Sequence, residues 1–193
     1  KTLKIILEEI HLLLTSAGDG NLDIRGEVEK FEGEYAQIVK GINATLDAVI
    51  TPLRVSTEHM QRLSTGDFPP PITEEYKGDF NVLKQSLNTL INNLQGTVQI
   101  AEQVAEGNLA VTANILSDKD RLGKSLSLMI ATIQDIVADI NTLTDAALAG
   151  ELQVRGDVDK FGGEYARIIQ GVNNTLDAVI TPLNVTTATL DQI

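Results

Sequence analysis

The residues that could carry acid–base or metal chemistry are scattered along this chain. The two histidines, His11 and His59, lie far apart, and the chain has no cysteine. A metal site needs several ligands at short, regular spacing, and acid–base catalysis needs groups within hydrogen-bond reach of one another. The carboxylates are instead spread along the chain, and each histidine is expected to be solvated or at a packing edge. The sequence therefore predicts no enzyme activity, no metal and no cofactor.

Two kinds of polar residue recur at matching places. Arg25 and Arg155 each stand before Gly-(Glu/Asp)-Val, where they could pair with acidic residues at the next helix start or remain solvated. An asparagine follows an apolar residue within a predicted helix at Asn43, Asn88 and Asn173. Such a residue can fix the register of a coiled coil, but exposure to solvent is slightly favoured. The glycines do not form a phosphate loop, because no Lys-Ser/Thr pair follows a strand.

Composition and charge exclude several functional classes. The net charge of -12 argues against nucleic acid as a partner, because phosphates need a basic surface, and against anionic lipid. Aromatic residues make up only 4%, which favours narrow Leu, Ile and Val seams over a large core. The lack of cysteine fits a reducing, cytoplasmic setting. No apolar run approaches the roughly 20 residues of a membrane-spanning helix, and no signal peptide is visible.

One long stretch of the chain occurs twice. Residues 20–55 and 150–185 are identical at 24 of 36 positions. Within the resulting long repeat lies a shorter one, since Gly-x-(Leu/Phe) occurs at Gly20, Gly66, Gly107 and Gly150. Each occurrence ends an amphipathic helix, and a connector of roughly a dozen residues leads to the next helix. Recurrence of this kind predicts a tandem array of helix–connector–helix units.

The start of each new unit contains a choice that the sequence leaves open. Thr51-Pro52 could be a cap and the first residue of a new helix, or Pro52 could lie within one long helix at the cost of a backbone hydrogen bond. We favour near-continuity, because Leu53, Met60 and Leu63 continue the apolar stripe. The apolar spacing that begins at Tyr35 contains two successive steps of four, which shifts the seam of a coiled coil.

A connector of this length lets its two helices run parallel, since extended chain spans roughly 3.3 Å per residue. One such pair has only narrow apolar stripes to bury. Two copies of the pair would form a four-helix bundle, so a parallel homodimer is expected. Residues 1–15 are helical in period from the outset and residues 186–193 end without a capping signal. We therefore expect this segment to belong to a longer protein.

Several motifs lie at the ends and beginnings of the predicted helices. Thr51-Pro52-Leu53 and the helix that follows it, ending at Gly66-Asp67-Phe68, resemble the first helix and glycine turn of HAMP domains, the relay modules of bacterial receptors. Asp120-Arg121-Leu122-Gly123 resembles the opening of the second helix of that family, with Arg where Glu is usual. The phrasing around Asn-x-Thr-Leu-Asp-Ala-Val-Ile-Thr-Pro-Leu is similar to the poly-HAMP segments of methyl-accepting chemotaxis proteins.

The resemblance implies an all-α fold: an elongated, parallel homodimeric coiled coil of stacked four-helix HAMP bundles with extended connectors. It implies units at residues 1–50, 51–94, 95–136 and 137–181, with a further helix beginning at 182–193. Apolar connector residues are expected to plug each bundle. In the first and fourth units Gly26 and Gly156 stand where a second plug is usual, so Val28 and Val158 are expected to serve instead.

The resemblance assigns roles in three groups. The connector turns and plugs are Gly20, Leu22, Val28, Gly66, Phe68, Ile72, Gly107, Leu109, Gly150, Leu152 and Val158. The second helices start at Glu34, Asp79, Asp120 and Glu164. The junctions between units are Thr51, Pro52, Leu53, Thr181, Pro182 and Leu183.

The function implied is non-enzymatic: relaying a conformational change through alternative packings of the bundles, within a chemoreceptor. The partners would be a second copy and the upstream sensory and downstream signalling domains of the same chain. Three alternatives stay open, namely the relay of a sensor histidine kinase, a passive coiled-coil spacer and a helical sensor of a small ligand.

Overall fold

The fold is described from a computed structural model, which covers residues 2–190 except the side chains of Asn184 and residues 186–190. Within this range the regular structure is helical, which confirms the all-α class. The five helices are α1 (Thr2–Gly18), α2 (Gly33–Ser64), α3 (Gly78–Ala105), α4 (Arg121–Leu148) and α5 (Gly163–Leu190). Two short 3₁₀ turns lie in the connectors at Val28–Lys30 and Val158–Lys160.

The chain forms two compact units, Lys1–Gln95 and Gly96–Ile193. The first contains α1, α2, most of α3 and the two connectors between them. The second contains the rest of α3, α4, α5 and the other two connectors. The finer division into four HAMP-like units stays a prediction.

Glycine turns end the helices that precede each connector. Gly20, Gly66, Gly107 and Gly150 have φ between 79° and 87°, a left-handed conformation that costs little only without a β-carbon. At Gly66 the turn is closed by backbone hydrogen bonds: Gly66 N donates to Leu63 O (3.0 Å) and Asp67 N donates to Arg62 O (3.0 Å). These bonds satisfy carbonyl groups that the helix end would otherwise leave unpaired.

Both junction prolines lie inside continuous helices, Pro52 in α2 and Pro182 in α5. The predicted continuity across Pro52 is therefore confirmed, and the alternative of a new helix starting there is wrong. Pro52 is buried, and Ser56 Oγ donates a hydrogen bond to Pro52 O (2.8 Å). The helix is maintained because its apolar stripe continues on both sides of the proline.

The packed apolar clusters are small. In the first unit, Ile6, Phe31 and Val39 form one cluster, and Ile72, Leu87 and Ile91 form a second. Each cluster joins a connector residue to a helix, so the connectors are part of the packing. Large apolar side chains nevertheless remain exposed on the helices, among them Leu7, Leu14, Val82, Leu128 and Leu183.

Helix α4 differs from the expectation that no segment is apolar enough to span a membrane. By length and composition it could do so, and most of its apolar stretch is exposed. Asp135 and Asp139 lie within it and both contact Lys160 Nζ, at 3.8 and 3.1 Å. Carboxylates are costly at the centre of a bilayer, whereas in this unit they are paired with a connector lysine. These contacts favour a helix packed in a protein bundle.

Candidate functional site

An asparagine in the second helix of a unit holds the backbone of the connector before it. Asn43 accepts a hydrogen bond from Gly26 N (2.9 Å) through Oδ1 and donates one to Gly26 O (2.9 Å) through Nδ2. Asn173 makes the same two bonds with Gly156, both 2.9 Å long. A carboxamide has one acceptor and one donor side, so it can pair with both backbone groups of a single residue. We call this arrangement the asparagine clamp.

The clamp recurs in the second connector. Asn88 accepts from Ile72 N (2.8 Å) and donates to Ile72 O (2.9 Å). The preference for exposed asparagines is therefore wrong: Asn43 and Asn88 are half-buried and Asn173 is 7% exposed. The sequence could not show this, because the bonded groups are 16 or 17 residues apart.

The third connector has no such asparagine. The clamped residue lies six positions after the turn glycine and 16 or 17 positions before its asparagine. In the third connector the residue six positions after Gly107 is Ala113, and the residues 16 and 17 positions further on are Met129 and Ile130. Ile130 is buried, as is Ala113 in the connector.

A carboxylate fastens the third connector instead. Asp120 caps α4 by accepting from Gly123 N (2.9 Å) and also accepts from Leu116 N (2.9 Å). Hydrogen bonds from these amides, chiefly that of Leu116, hold the pKa of Asp120 below its ordinary value. Gln134 Nε2 adds a bond to Leu109 O (2.6 Å).

The clamp position is filled differently from one connector to another. Ile72 is buried against Leu87 and Ile91. At Gly26, in contrast, a β-carbon would lie 2.7 Å from Val39 Cγ1 and 3.3 Å from Leu13 Cδ1. Side chains from the helices therefore occupy the volume that Ile72 supplies in the second connector.

The fourth connector repeats this arrangement. A β-carbon at Gly156 would lie 2.6 Å from Ile169 Cγ2 and 3.2 Å from Leu143 Cδ1. Val158, the proposed plug, is half-buried in its 3₁₀ turn.

The first connector adds an aromatic residue that the sequence did not single out. Val28 is half-buried in its 3₁₀ turn and packs against the cluster that contains Phe31. Phe31 itself is 6% exposed. The available signal in the sequence was its position, directly after the Val-x-Lys motif that both long copies share.

The remaining turn and junction residues are less enclosed. Phe68, Leu109 and Leu152 are half-buried. Leu22 is 37% exposed, and with Gly20, Ile50, Leu53 and Arg54 it lines a cavity of about 270 Å³. The structure thus brings together the predicted turn residue Gly20, the predicted plug Leu22 and the predicted junction residue Leu53. Exposed side chains occupy the other junction positions Thr51, Thr181, Pro182 and Leu183.

Arg25 forms a second fastening of the first connector. Its Nε and Nη2 donate to Asp47 Oδ1 (2.9 and 2.7 Å), and Nη1 donates to Leu22 O (2.7 Å) and Ile24 O (2.9 Å). The acidic partner lies well inside α2, so the expectation of a pair at the helix start is wrong in position. The reason is that the connector runs along the helix instead of ending beside its first turn.

The fourth connector repeats this fastening. Arg155 donates to Asp177 Oδ1 (3.0 and 2.6 Å), to Leu152 O (2.7 Å) and to Val154 O (2.7 Å). The proposed acidic helix starts Glu34, Asp79 and Glu164 are exposed in the first turns of α2, α3 and α5.

A nearly buried carboxylate holds the end of the first connector. Glu9 on α1 is 8% exposed and accepts from Glu27 N (2.9 Å). Lys30 Nζ contacts Glu27 Oε1 (2.7 Å) and Glu9 Oε2 (3.8 Å). The hydrogen bond to Glu27 raises the pKa of Lys30. This role of Glu9 was not predicted from the sequence, where Glu9 lies on an otherwise apolar helical stripe.

The histidines do not meet. His11 is exposed. His59 is part of α2, and its side chain lies beside the second connector. Its Nδ1 is 2.9 Å from Val55 O, and its Nε2 is 3.2 Å from Pro70 O. Among the residues that the structure describes, no group of three or more His, Cys, Asp or Glu side chains could hold a metal ion. The polar groups of the site therefore fasten connectors to helices.

Comparison with known proteins agrees with this architecture. The family model described as HAMP domain matches residues 30–96 and 160–193, together more than half of the chain. The chain belongs to the HAMP domain family. All three asparagine clamps have their asparagine inside the matched HAMP regions, whereas Asp120 and Ile130 of the third connector lie outside them.

One curated relative is similar to part of this HAMP chain. It is named "Putative sensory transducer protein" and comes from Acetivibrio thermocellus; it is 26% identical over 89 residues, which are 46% of the chain. The aligned region spans only 16% of that relative's length. No solved structure matches the chain significantly.

Proposed function

We propose that this segment is a non-enzymatic relay that passes conformational change along a receptor through stacked, parallel homodimeric HAMP bundles. The carrying observation is the asparagine clamp. It joins a connector to the second helix of a unit by two hydrogen bonds, and α2 then continues through Pro52 into the next first helix. A rotation or shift of the connector therefore has a bonded route to the following unit.

The proposed dimer would cover the exposed apolar side chains. Each cluster of the first unit contains three buried residues, while Leu7, Leu14 and Leu128 are more than half exposed. Soluble proteins rarely leave large contiguous apolar surfaces uncovered. A second copy would supply matching stripes and complete four-helix packing.

The proposal assigns the units to residues 1–50, 51–94, 95–136 and 137–181. The connector plugs Leu22, Phe68, Leu109 and Leu152 would set the packing of each bundle, with Ile72, Val28 and Val158 as second plugs. Sensory and signalling domains of the same chain would lie on either side, and the segment itself would be cytoplasmic. The name of the relative supports a sensory transducer, and we place the segment in a chemoreceptor.

Deletion of one unit tests the relay. Removing residues 51–94 from the full-length receptor should invert or abolish signalling, because two packings that differ by a few kcal/mol are coupled through shared helices. Normal signalling after this deletion would favour the passive spacer instead.

A cysteine at Leu109 tests the dimer, since the chain has no other cysteine. Oxidation should link two chains through this position in a parallel bundle. A monomeric mass in sedimentation, with no cross-linked product, would contradict the homodimer. Two chains associated in solution but unable to cross-link would contradict the parallel arrangement.

A further inference from the structure

The first connector contacts α2 on both sides of Pro52. Before the proline, Asp47 receives two hydrogen bonds from Arg25. After the proline, Arg54 donates a hydrogen bond to Asp23 and forms an ion pair with it. The acceptor Asp47 and the donor Arg54 are seven residues apart on α2, so they lie on the same face of the helix, two turns from each other.

A pocket between the connector and α2 follows the same path. The cavity of about 270 Å³ beside the turn is lined by residues 20–23 of the connector and by Ile50, Leu53 and Thr57 of α2. Ile50 precedes the proline and the other two follow it. The connector and the helix are thus close to one another along the whole junction.

Pro52 is the place where α2 resists bending least. Proline has no N–H to donate to the carbonyl of Ala48, and such a missing bond commonly bends a helix. The hydroxyl of Ser56 bonds Pro52 O at 2.8 Å, and back-bonding of this kind also favours bending. A contact that holds both sides of this point controls the direction of the helix beyond it.

We propose that residues 20–25 form a strap that fixes the direction of α2 across Pro52, with Arg54 as the positioning residue that fastens its far side. The inference rests on the proposed relay, in which the first helix of the second unit must follow the connector of the first. The strap makes the connector act directly on the helix beyond the proline, in addition to acting through the bundle.

The second long copy has no charged residues at the two positions of the far fastening. It keeps Arg155 and Asp177, which are bonded as in the first copy. The residues that correspond to Asp23 and Arg54 are Gln153 and Asn184, whose uncharged amides cannot form an ion pair. The chain therefore contains its own comparison, with two junctions that are nearly identical in sequence and differ at the strap.

The Asp23–Arg54 ion pair is too exposed to contribute much to the stability of the fold. Its side chains are 79% and 63% exposed, and pairs in water contribute little to folding. A weak contact can nevertheless bias the bend of α2. We call the fraction of molecules in which Asp23 and Arg54 are paired the strapped population. The free energy of an ordinary surface ion pair is enough to change this population about two- to fivefold.

Spin labels on either side of the proline test the strap. Gln37 and Gln61 are exposed on α2, and each can be changed to cysteine in this cysteine-free chain. Labelled full chain mixed with an excess of unlabelled chain would report the distance between the two labels within one molecule. A single narrow distance distribution is expected for the parent protein.

Four variants separate the charge contact from general damage. Arg54→Gln should widen the distribution and lower the strapped population about two- to fivefold, and Arg54→Lys should largely restore it. The charge swap Asp23→Arg with Arg54→Asp should also restore it. Asp23→Gln with Arg54→Asn, which gives the first junction the residues of the second, should match Arg54→Gln. An unchanged distribution in Arg54→Gln, or no recovery in the charge swap, would overturn the strap.

The signalling role is measured separately, so the two proposals can fail separately. Label distances do not depend on signalling and test the strap even if deletion of residues 51–94 shows that the segment is a spacer. In the full-length receptor, Arg54→Gln should weaken signalling and the charge swap should restore it. Unchanged signalling by an Arg54→Gln variant with a widened distribution would overturn the positioning role of Arg54.

Discussion

The second and third connectors are fastened by different chemistry. In the second, the neutral amide of Asn88 pairs with both backbone groups of Ile72. In the third, the carboxylate of Asp120 accepts from two N–H groups, and the clamp position is taken by Ile130. An amide clamp does not depend on pH and satisfies a donor and an acceptor together. An ionised carboxylate only accepts hydrogen bonds, and protonation weakens the bonds that it accepts.

This difference indicates that a change of pH need not affect the second and third connectors alike. The asparagine clamp fixes the middle of a connector, beside the residue that fills the core. Asp120 fixes the end of the third connector to the start of α4. Gln134 bonds the beginning of this connector at Leu109, and its middle is packed through the buried Ala113. The bonds that Asp120 accepts should therefore weaken in acid, whereas the bonds of the asparagine clamps should not.

The largest expected effect comes from removing a clamp. Asn88→Leu leaves the N–H and C=O of Ile72 without their partner, and unsatisfied backbone groups should lower the local stability of the second connector by about 2–4 kcal/mol. Hydrogen exchange at Ile72 and in the surrounding α3 amides measures this change.

The exposed neighbour Asn92 provides the control. Asn92→Leu should change the same exchange free energies by no more than about 0.5 kcal/mol. Equal effects of the two substitutions would remove the distinction between clamped and unclamped connectors.

A smaller effect is expected from filling the space at the first clamp. Gly26→Ala places a β-carbon 2.7 Å from Val39 Cγ1, and overpacking of this kind should cost about 1–3 kcal/mol. Gly41 in α2 has nothing within 4 Å of its β-carbon position, so Gly41→Ala should stabilise the helix by up to about 1 kcal/mol. Exchange of α2 amides distinguishes the two, and a stabilising Gly26→Ala would show that Ile72 and Gly26 are interchangeable.

The smallest effect concerns acid and the third connector. Amide hydrogen bonds lower the pKa of Asp120 in the folded chain, so this carboxylate stabilises the fold above the ordinary aspartate pKa. That contribution should be lost as the pH falls below about 3.9 towards the lowered value. Amide exchange at Leu116 and Gly123, corrected for the intrinsic effect of pH, should then accelerate.

Asp120→Asn should remove most of this pH dependence, because an asparagine at this position does not titrate. The amide bonds of Gly26, Ile72 and Gly156 should show no matching transition, since their partners are uncharged. A common transition in all four connectors would contradict the distinction.

Local patterns were sufficient to predict much of the fold. The helices follow from apolar periodicity, the ends at Gly20 and Gly66 from a left-handed glycine conformation, and continuity at Pro52 from an uninterrupted stripe. The HAMP resemblance came from motifs that lie partly within these same elements. Each of these signals involves residues a few positions apart, where sequence and backbone geometry are directly connected.

The contacts of the site could not be read in the same way. Asn88 looked like a solvated helix residue and Arg25 like a partner of the helix start, and Glu9 was not singled out. Each of them bonds to a group that comes near only after the connector folds back along a helix. The plug and junction assignments stay predictions, because they concern packing between two chains.

The sequence by itself therefore determined the helices, the turns between them and their order along the chain, because these depend on short-range periodicity and backbone preference. Only the tertiary structure decided which polar groups fasten each connector. A hydrogen bond across 16 or 17 residues forms only when the chain path brings the donor within about 3 Å of its acceptor.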